Sequence, residues 1–517
     1  MPPGMPFGLP FRLPLGMPQC LRIRRSPLSG STRTSTNAAG RLYTRFRTPA
    51  SWPDLSWIDT FWTKAGAHIF CREEDGVLIL PPNRVYKVNR SAAALVSFLA
   101  RGGSIHAVRL PSRDAAEDTA RFFGDLAALY RGDQPVNGTV SQEQYSFSFT
   151  RLPILGEIAL TYRCNNACRF CYAGCGAPHS RASASRQGKA HPESATPELS
   201  NTASSHPELD TRAFMRIIDI FADEACIPFF SFTGGEPTLR EDLEELISHA
   251  HARKLITNLV TNGTLIDVRR ATSLKTAGLG SAQVSIEGPD AELHDSLAGR
   301  PGAFEETCKG IAALLEAGIP TQTNTTITRA NLDSAVRMPE FLASLGIRRF
   351  SMNLFIPTIA GPAADELFLP YEEAGPIVEA VTRQAPRLDM TFFWYSPTPF
   401  CTFNPIARGY GNKSCAAADG LISVAPDGAV LPCSSWDSPL GNLLTQGFRD
   451  IWFSERAQFF KQKQFAPEPC KTCSSFIACQ GACPLYWRYT GSLPAHQPRA
   501  ADFPTARPLT CSARERL

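Results

Sequence analysis

The chain has 517 residues, 43% apolar and 19% charged, with Lys+Arg 52 against Asp+Glu 48 and a formal charge of +4. That length exceeds one ordinary core and points to roughly two to four domains of about 100–200 residues each. The composition excludes wholesale disorder, the charge balance argues against a general nucleic-acid binder, and no apolar run reaches the roughly 18 residues of a membrane span. Residues 1–53 hold eight Arg, repeated Pro and no Asp or Glu. We read residues 1–54 as a disordered basic tail, because the prolines would break the amphipathic helix that a transit peptide needs. From about Ser56 the pattern becomes globular. Ala67–Cys71 and Val77–Leu80 flank Asp75-Gly76 as a hairpin, and Val85–Val88 adds a third strand. Ser91 opens a helix over Ala92–Leu99 that ends at Gly102-Gly103, and a second helix covers Ala115–Tyr130. Residues 55–150 thus form a small α+β module.

Residues 151–360 alternate strands and helices. Ile158–Thr161, Phe229–Phe232, Ile256–Val260, Ala282–Ile286, Thr321–Ile327 and Arg349–Phe355 read as strands, with helical patterns such as Glu241–Ala252 and Phe304–Ala317 between them. Repeated β–α units predict an α/β fold with a parallel sheet or barrel, its sites at the strand C-terminal ends. Residues 176–208, rich in Ser, Ala and Pro, read as a flexible insert whose His179, His191 and His206 are solvated. Residues 361–400 read as a connecting segment, and residues 401–517 as a cysteine-rich extension.

Sixteen Cys in a chain of this length are too few for a small disulfide scaffold, and they cluster. Close clusters without a secretory signal read as metal ligation in a reducing compartment, so a cytoplasmic protein is expected. Cys164, Cys168 and Cys171 follow the first barrel strand on one loop. Three thiolates can hold three corners of an iron–sulfur cube and leave one iron open; a structural zinc site is the alternative for this triplet alone. Thr233-Gly234-Gly235-Glu236-Pro237 follows the second strand. Its glycines let backbone approach a ligand, and its carboxylate can take a ligand ammonium. In the extension, Cys415-x12-Gly428-x4-Cys433 precedes Cys470-x2-Cys473-x5-Cys479-x3-Cys483 and Cys511. Seven or eight thiolates suit two four-ligand clusters or two zinc sites. Cys226 and Cys308 fall in helical patterns and read as small core residues.

The CxxxCxxC loop together with Gly-Gly-Glu-Pro resembles the radical S-adenosylmethionine (SAM) enzymes across about residues 155–360, with a partial (β/α)6 barrel as the implied fold. The resemblance implies that Cys164, Cys168 and Cys171 ligate a [4Fe–4S] cluster whose open iron binds SAM. Phe170 would pack on the adenine, Gly234, Gly235, Glu236 and Pro237 would hold the methionyl amine, and Ser285 would contact the ribose or carboxylate. The bound cofactors would supply a 5′-deoxyadenosyl radical that abstracts hydrogen from substrate. The C-terminal spacing resembles the SPASM extension of these enzymes. That likeness implies two auxiliary [4Fe–4S] clusters, one on Cys401, Cys415, Cys433 and Cys483, the other on Cys470, Cys473, Cys479 and Cys511. The layout of residues 55–150, winged-helix-like, is similar to PqqD-like peptide-recognition domains.

The expected function is therefore maturation of a ribosomally made precursor peptide, recruited through its leader and closed by a thioether or C–C cross-link. The expected partners are that precursor and a flavodoxin- or ferredoxin-type electron donor, with neither nucleic acid nor membrane involved. Tetrapyrrole side-chain chemistry, or modification of a folded protein, is the alternative. An iron–sulfur electron carrier or zinc scaffold would need complete four-ligand sets, which the Cys164 loop lacks. Two departures stand out. Sulfatase-maturing relatives carry an acid beside the cysteine matching Cys433, where this chain has Ser434 with Asp437 further on. Pro357-Thr358-Ile359-Ala360-Gly361 lacks the Arg that many relatives have there. Neither a catalytic acid nor a base is assigned from the sequence.

Overall fold

Short runs of β-branched and aromatic residues, each followed by an Asp-capped or Gly-bounded amphipathic helix, build most of this chain. The computed structural model describes residues 52–81, 84–140, 149–174, 208–358, 362–410, 414–436 and 438–490. The basic tail up to residue 51, insert residues 175–207, Asp437 and Cys511 lie outside the described residues.

The N-terminal module comprises α1 (Trp57–Ala65), β1 (Phe70–Arg72), β2 (Val77–Leu80), β3 (Arg84–Lys87), α2 (Arg90–Ala100) and α3 (Arg113–Arg131). Its sheet is antiparallel in the order β1-β2-β3. Ile58, Val96, Phe123 and Leu126 centre a hydrophobic core of its own. Helix α1 was not anticipated, and the cap of α2 is Asn89, whose side chain accepts from Ala92 N at 2.9 Å. An Asn satisfies that orphan N–H two residues earlier than the expected Ser91.

The six expected barrel strands are present as β4 (Leu155–Thr161), β5 (Phe229–Gly234), β6 (Ile256–Thr261), β7 (Ser281–Ser285), β8 (Thr321–Ile327) and β9 (Arg349–Leu354). Each pairs in parallel with the next. Helices α4 (Thr211–Asp223), α5 (Leu243–Ala252), α6 (Val268–Ala277), α7 (Ala291–Ala298), α8 (Ala303–Glu316) and α9 (Met338–Ser344) separate them. Asp210, Asp267 and Asp290 cap α4, α6 and α7 by accepting backbone N–H groups. Phe230 on β5 meets Phe221 and Phe232 edge-on, in the core that all these elements share.

Two additions alter the expected boundaries. Residues 361–400 are more than a connector: they carry α10 (Pro362–Leu367), α11 (Tyr371–Gln384) and β10 (Thr391–Trp394), which pairs in parallel with β9. On the other edge, β11 (Leu421–Val424) pairs in parallel with β4. It is followed by antiparallel β12 (Ala429–Leu431) and β13 (Gly441–Asn442), so the extension continues the barrel sheet for ten strands in all. Helices α12 (Phe448–Trp452) and α13 (Glu455–Lys461) then lead to the last cysteines. Cys308 packs against the core as expected, but Cys226 is exposed in the turn after α4, at φ 50°, because α4 ends before it.

The module is tied to the rest through the linker at residues 149–154. Arg72 pairs with Asp75 and donates to the carbonyls of Leu152 and Pro153, while Arg449 of α12 donates to Glu74 in the same hairpin. Trp452 Nε1 donates to Arg151 O at 2.9 Å. Among the described residues no helix is long and apolar enough to cross a membrane.

Candidate active site

The strand C-terminal ends open on a cavity of about 490 Å³. Cys164, Cys168, Phe170, Cys171, Gly234, Gly235 and Ser285 line it, so the three cysteines and four of the expected cofactor contacts converge there. Main-chain bonds shape that loop. Ala167 N and Arg169 N donate to Ala298 O and Leu297 O at 2.9 and 3.0 Å, stapling it to the end of α7. Arg300 Nε donates to Asn166 Oδ1 at 2.8 Å, and Asn165 bonds Asn262 and Thr264 of the loop after β6. Phe170 packs on Leu297, Phe355 and Leu367, with an edge on the cavity.

The donor set fits an open iron–sulfur cluster. Asn166 N approaches Cys164 Sγ at 3.4 Å, and the three thiols feel one another. Burial pushes Cys164 up to about 11 and Cys168 well above the usual thiol range, so the bare thiols keep their protons and a soft metal would displace them. Among the described residues no three His, Cys, Asp or Glu gather around a single-ion position; a cube spreads its thiolates over separate irons.

The Gly-Gly-Glu-Pro segment is positioned differently from expectation. Gly235 N donates to Thr161 O at 2.7 Å and Glu236 N to Arg163 O at 2.9 Å, so the segment grips the strand leading into Cys164. Gly234 and Gly235 line the cavity, whereas Glu236 and Pro237 are buried behind them. The Glu236 carboxylate accepts from Thr238 N, Thr238 Oγ1, Thr261 Oγ1 and Asn262 N, at 3.0, 2.5, 2.7 and 2.7 Å. Three of those donors meet Oε1 and one meets Oε2. The carboxylate thereby braces the loops after β5 and β6 against each other.

Three cavity residues carried no signal in the sequence. Glu287, directly after β7, accepts from Thr326 N at 2.8 Å, and burial pushes its carboxyl up to about 8. His294 Nδ1 accepts from Glu287 N at 3.1 Å; its Nε2 is buried without a partner, and burial lowers the ring to about 4. Glu157 of β4 also lines the cavity and accepts from Ser423 Oγ and, at 3.1 Å, from Ser434 N. Burial raises its carboxyl too. A carboxyl from β4, 277 residues before Ser434, thus lies against the residue that follows Cys433.

The raised carboxyl of Glu287 has a measurable consequence. A carboxyl at about 8 folded and near 4.5 unfolded favours folding in its protonated form, and that contribution fades as pH rises through this window. We expect the metal-free protein to melt at falling temperature between about pH 5 and 8, and Glu287→Gln to flatten much of that slope. Calorimetry across the range checks it; equal slopes would refute the assignment.

In the extension, Cys433 lies near Cys415 and Cys483, and burial dominates the upward shift of all three. Cys483 also lines the cavity, with Ser434 and Ser435. Cys401 lies elsewhere than the expected pairing places it: Cys479 and Cys473 are its thiol neighbours, Cys470 joins them, and Phe400 N donates to Cys479 Sγ at 3.4 Å. The physical reason is the turn at Pro399–Phe403, which follows β10 and carries Cys401 toward the Cys470–Cys479 segment.

Residues 158–354 match the radical SAM superfamily and residues 415–474 the SPASM iron–sulfur cluster-binding domain. The AdoMet-dependent heme synthase of Methanosarcina barkeri is 30% identical over 287 residues, 52% of this chain and 81% of that protein. The PqqA peptide cyclase of Granulibacter bethesdensis is 28% identical over 311 residues, 57% of this chain and 80% of that protein. The structure of Streptococcus suis SuiB bound to precursor peptide SuiA superposes with a TM-score of 0.56 at 16% identity, covering 82% of this chain and 96% of that one. The radical SAM domain brings a [4Fe–4S] cluster and SAM as cofactors, and the SPASM domain brings auxiliary iron–sulfur clusters. The chain is an enzyme of the radical SAM superfamily with a SPASM extension.

Proposed function

We propose that this enzyme matures a ribosomally made precursor peptide, installing a thioether or C–C cross-link, with residues 55–150 as a PqqD-like domain that recruits the leader. The observation that carries this reading is the chemistry of the cavity wall. Gln283, Asn324, Asn353, Tyr395 and Ser396 line it, and among the described residues no Lys or Arg does. A tetrapyrrole presents several carboxylates, whose burial calls for cationic partners. A peptide presents amides, which carboxamides and hydroxyls satisfy. The peptide cyclase relative supports the same reading. The heme synthase relative favours tetrapyrrole chemistry, the alternative that the experiment must separate.

Cys164, Cys168 and Cys171 would hold the cluster, Phe170 the adenine, the Gly234–Gly235 backbone the methionyl amine, and Ser285 the ribose or carboxylate. Cys415, Cys433 and Cys483 would hold one auxiliary cluster and Cys470, Cys473 and Cys479 the other, with Cys401 beside the second and Cys511 as its further ligand. Bound together, cluster and SAM supply a 5′-deoxyadenosyl radical that takes a hydrogen atom from substrate. The chain's own residues would present the C–H bond and exclude water, with Glu157 among the residues lining the cavity. A leader would pair as an added strand on an outer edge of the β1–β3 sheet. A flavodoxin- or ferredoxin-type donor would deliver the electron.

The test uses the full-length, cluster-loaded chain as anaerobic bait for small peptides of the source cell, followed by SAM and reductant. The expected result is a retained precursor that becomes lighter by two hydrogen atoms as 5′-deoxyadenosine appears. Turnover of a tetrapyrrole, with no peptide retained, would overturn the reading.

A further inference from the structure

Directly beneath the Cys415 site lies a buried charge cluster that neither SAM binding nor peptide recognition uses. Asp419 is 4% exposed, Lys461 8% and Lys463 0%. Lys461 Nζ meets Asp419 Oδ1 at 2.8 Å and Lys463 Nζ meets Oδ2 at 3.1 Å, so two ammonium groups share one carboxylate. Their remaining bonds go to neutral carbonyls: Lys461 to Thr150 O at 2.8 Å and Lys463 to Cys415 O at 2.7 Å. These three side chains therefore sum to one positive charge.

Burying a charge without a counter-ion costs several kcal/mol. The backbone makes the lysine at 463 more costly still. It follows α13 at φ 55°, the left-handed conformation in which helices usually place glycine. The chain keeps a lysine in a glycine's place and gives it no contact with water. Lys461, in the last turn of α13, has a helix terminus to favour it. Lys463 has no such local reason. The anions that would justify it are the thiolates of Cys415, whose own carbonyl it grips, and of the neighbouring Cys433 and Cys483.

We propose that Lys463, with Lys461 and Asp419, is a built-in counter-charge for the auxiliary iron–sulfur cluster on Cys415, Cys433 and Cys483, and that it raises that cluster's reduction potential. Lys463 is thus a positioning and tuning residue. A fixed positive charge beside a cluster stabilises the reduced state, which carries one more electron. The proposal rests on the reading of these cysteines as cluster ligands and is independent of what the substrate is.

The test is potentiometry of the anaerobic, iron-loaded full chain, followed by electron paramagnetic resonance. Cys433→Ala first identifies the signal that belongs to this site; if every signal survives it, the ligand reading fails and the proposal with it. With the signal identified, Lys463→Met is expected to move its midpoint to more negative potential at unchanged iron content. Lys461→Met is expected to move it the same way by less, and Asp419→Asn the opposite way. The signal that depends on Cys164 should stay in place throughout. Opposite signs for Lys and Asp variants are what a merely structural role would not produce. An unmoved midpoint, shifts of one sign for all three variants, or loss of this cluster's iron in both Lys463→Met and Lys463→Gln would overturn the proposal. Should Lys463→Met fail to fold, Lys461→Met and Asp419→Asn still carry the sign comparison.

Discussion

Replacing Cys164 with Ala is expected to abolish 5′-deoxyadenosine formation and remove about four iron atoms per chain, while the iron of the C-terminal cysteines stays bound. The loop around Cys164 is held by main-chain bonds to α7 and by the Asn166–Arg300 pair, neither of which needs the thiol. The apo-protein should therefore melt within about 1 kcal/mol of the parent, the usual scale for a substitution that leaves the packing intact. Loss of SAM cleavage with retained fold and retained auxiliary iron is the combined signature. Iron analysis, resonance spectra and chromatography of the SAM products read it directly. Residual cleavage at the parent rate would remove Cys164 from the ligand set.

A comparable loss is expected from Gly235→Ala, by a different route. An added Cβ would lie 2.2 Å from Arg163 O, 2.8 Å from Arg163 C and 3.0 Å from Tyr162 C. These are backbone atoms, so no side-chain rotation can relieve the contact. The strain falls on the two residues that lead into Cys164, in a segment already fastened by Gly235 N and Glu236 N. Either the grip opens or the cysteine loop shifts, at a cost of roughly 1–3 kcal/mol for overpacking of this kind. Because the same backbone positions Cys164 and, in the proposed site, would face the methionyl amine, SAM affinity and iron retention should fall together. Equilibrium dialysis of SAM against iron content checks this, and a variant with full iron and unchanged SAM affinity would contradict it.

What the sequence disclosed followed from how locally each feature is encoded. The six barrel strands agree with the expected ones to within three residues at each end, because each is a short apolar run punctuated by a turn or a cap. The Cys164 loop is legible for the same reason: the three thiols and their strand lie within 17 residues. Glu157 was invisible, since one Glu in a strand has no periodicity, and its partners Ser423 and Ser434 are contributed by a sheet extension far along the chain. The bracing role of Glu236 was equally invisible, because it appears only when Thr238, Thr261 and Asn262 are folded around the carboxylate. Strand β10 was missed for want of alternation: Thr-Phe-Phe-Trp is only four residues long and follows a helix that contains Pro376. The neighbours of Cys401 depend on a turn whose direction spacing cannot state.

The pairing of β11 with β4 has a consequence for how the chain is made. Ser423 lies 266 residues after Glu157, and the strands that carry them are hydrogen-bonded neighbours. At synthesis rates of about 5–20 residues per second, β4 waits roughly 13–53 s on a nascent chain before its partner emerges. For that interval the rest of the barrel can assemble from β5 onward, yet its first strand shows a bare row of amide and carbonyl groups to solvent or to another ribosome's product. A chain that stalls before residue 421 keeps that row uncovered indefinitely. Truncation of the extension is thus a route to co-aggregation as well as to lost auxiliary iron–sulfur clusters, and yield should depend on translation speed through residues 161–421.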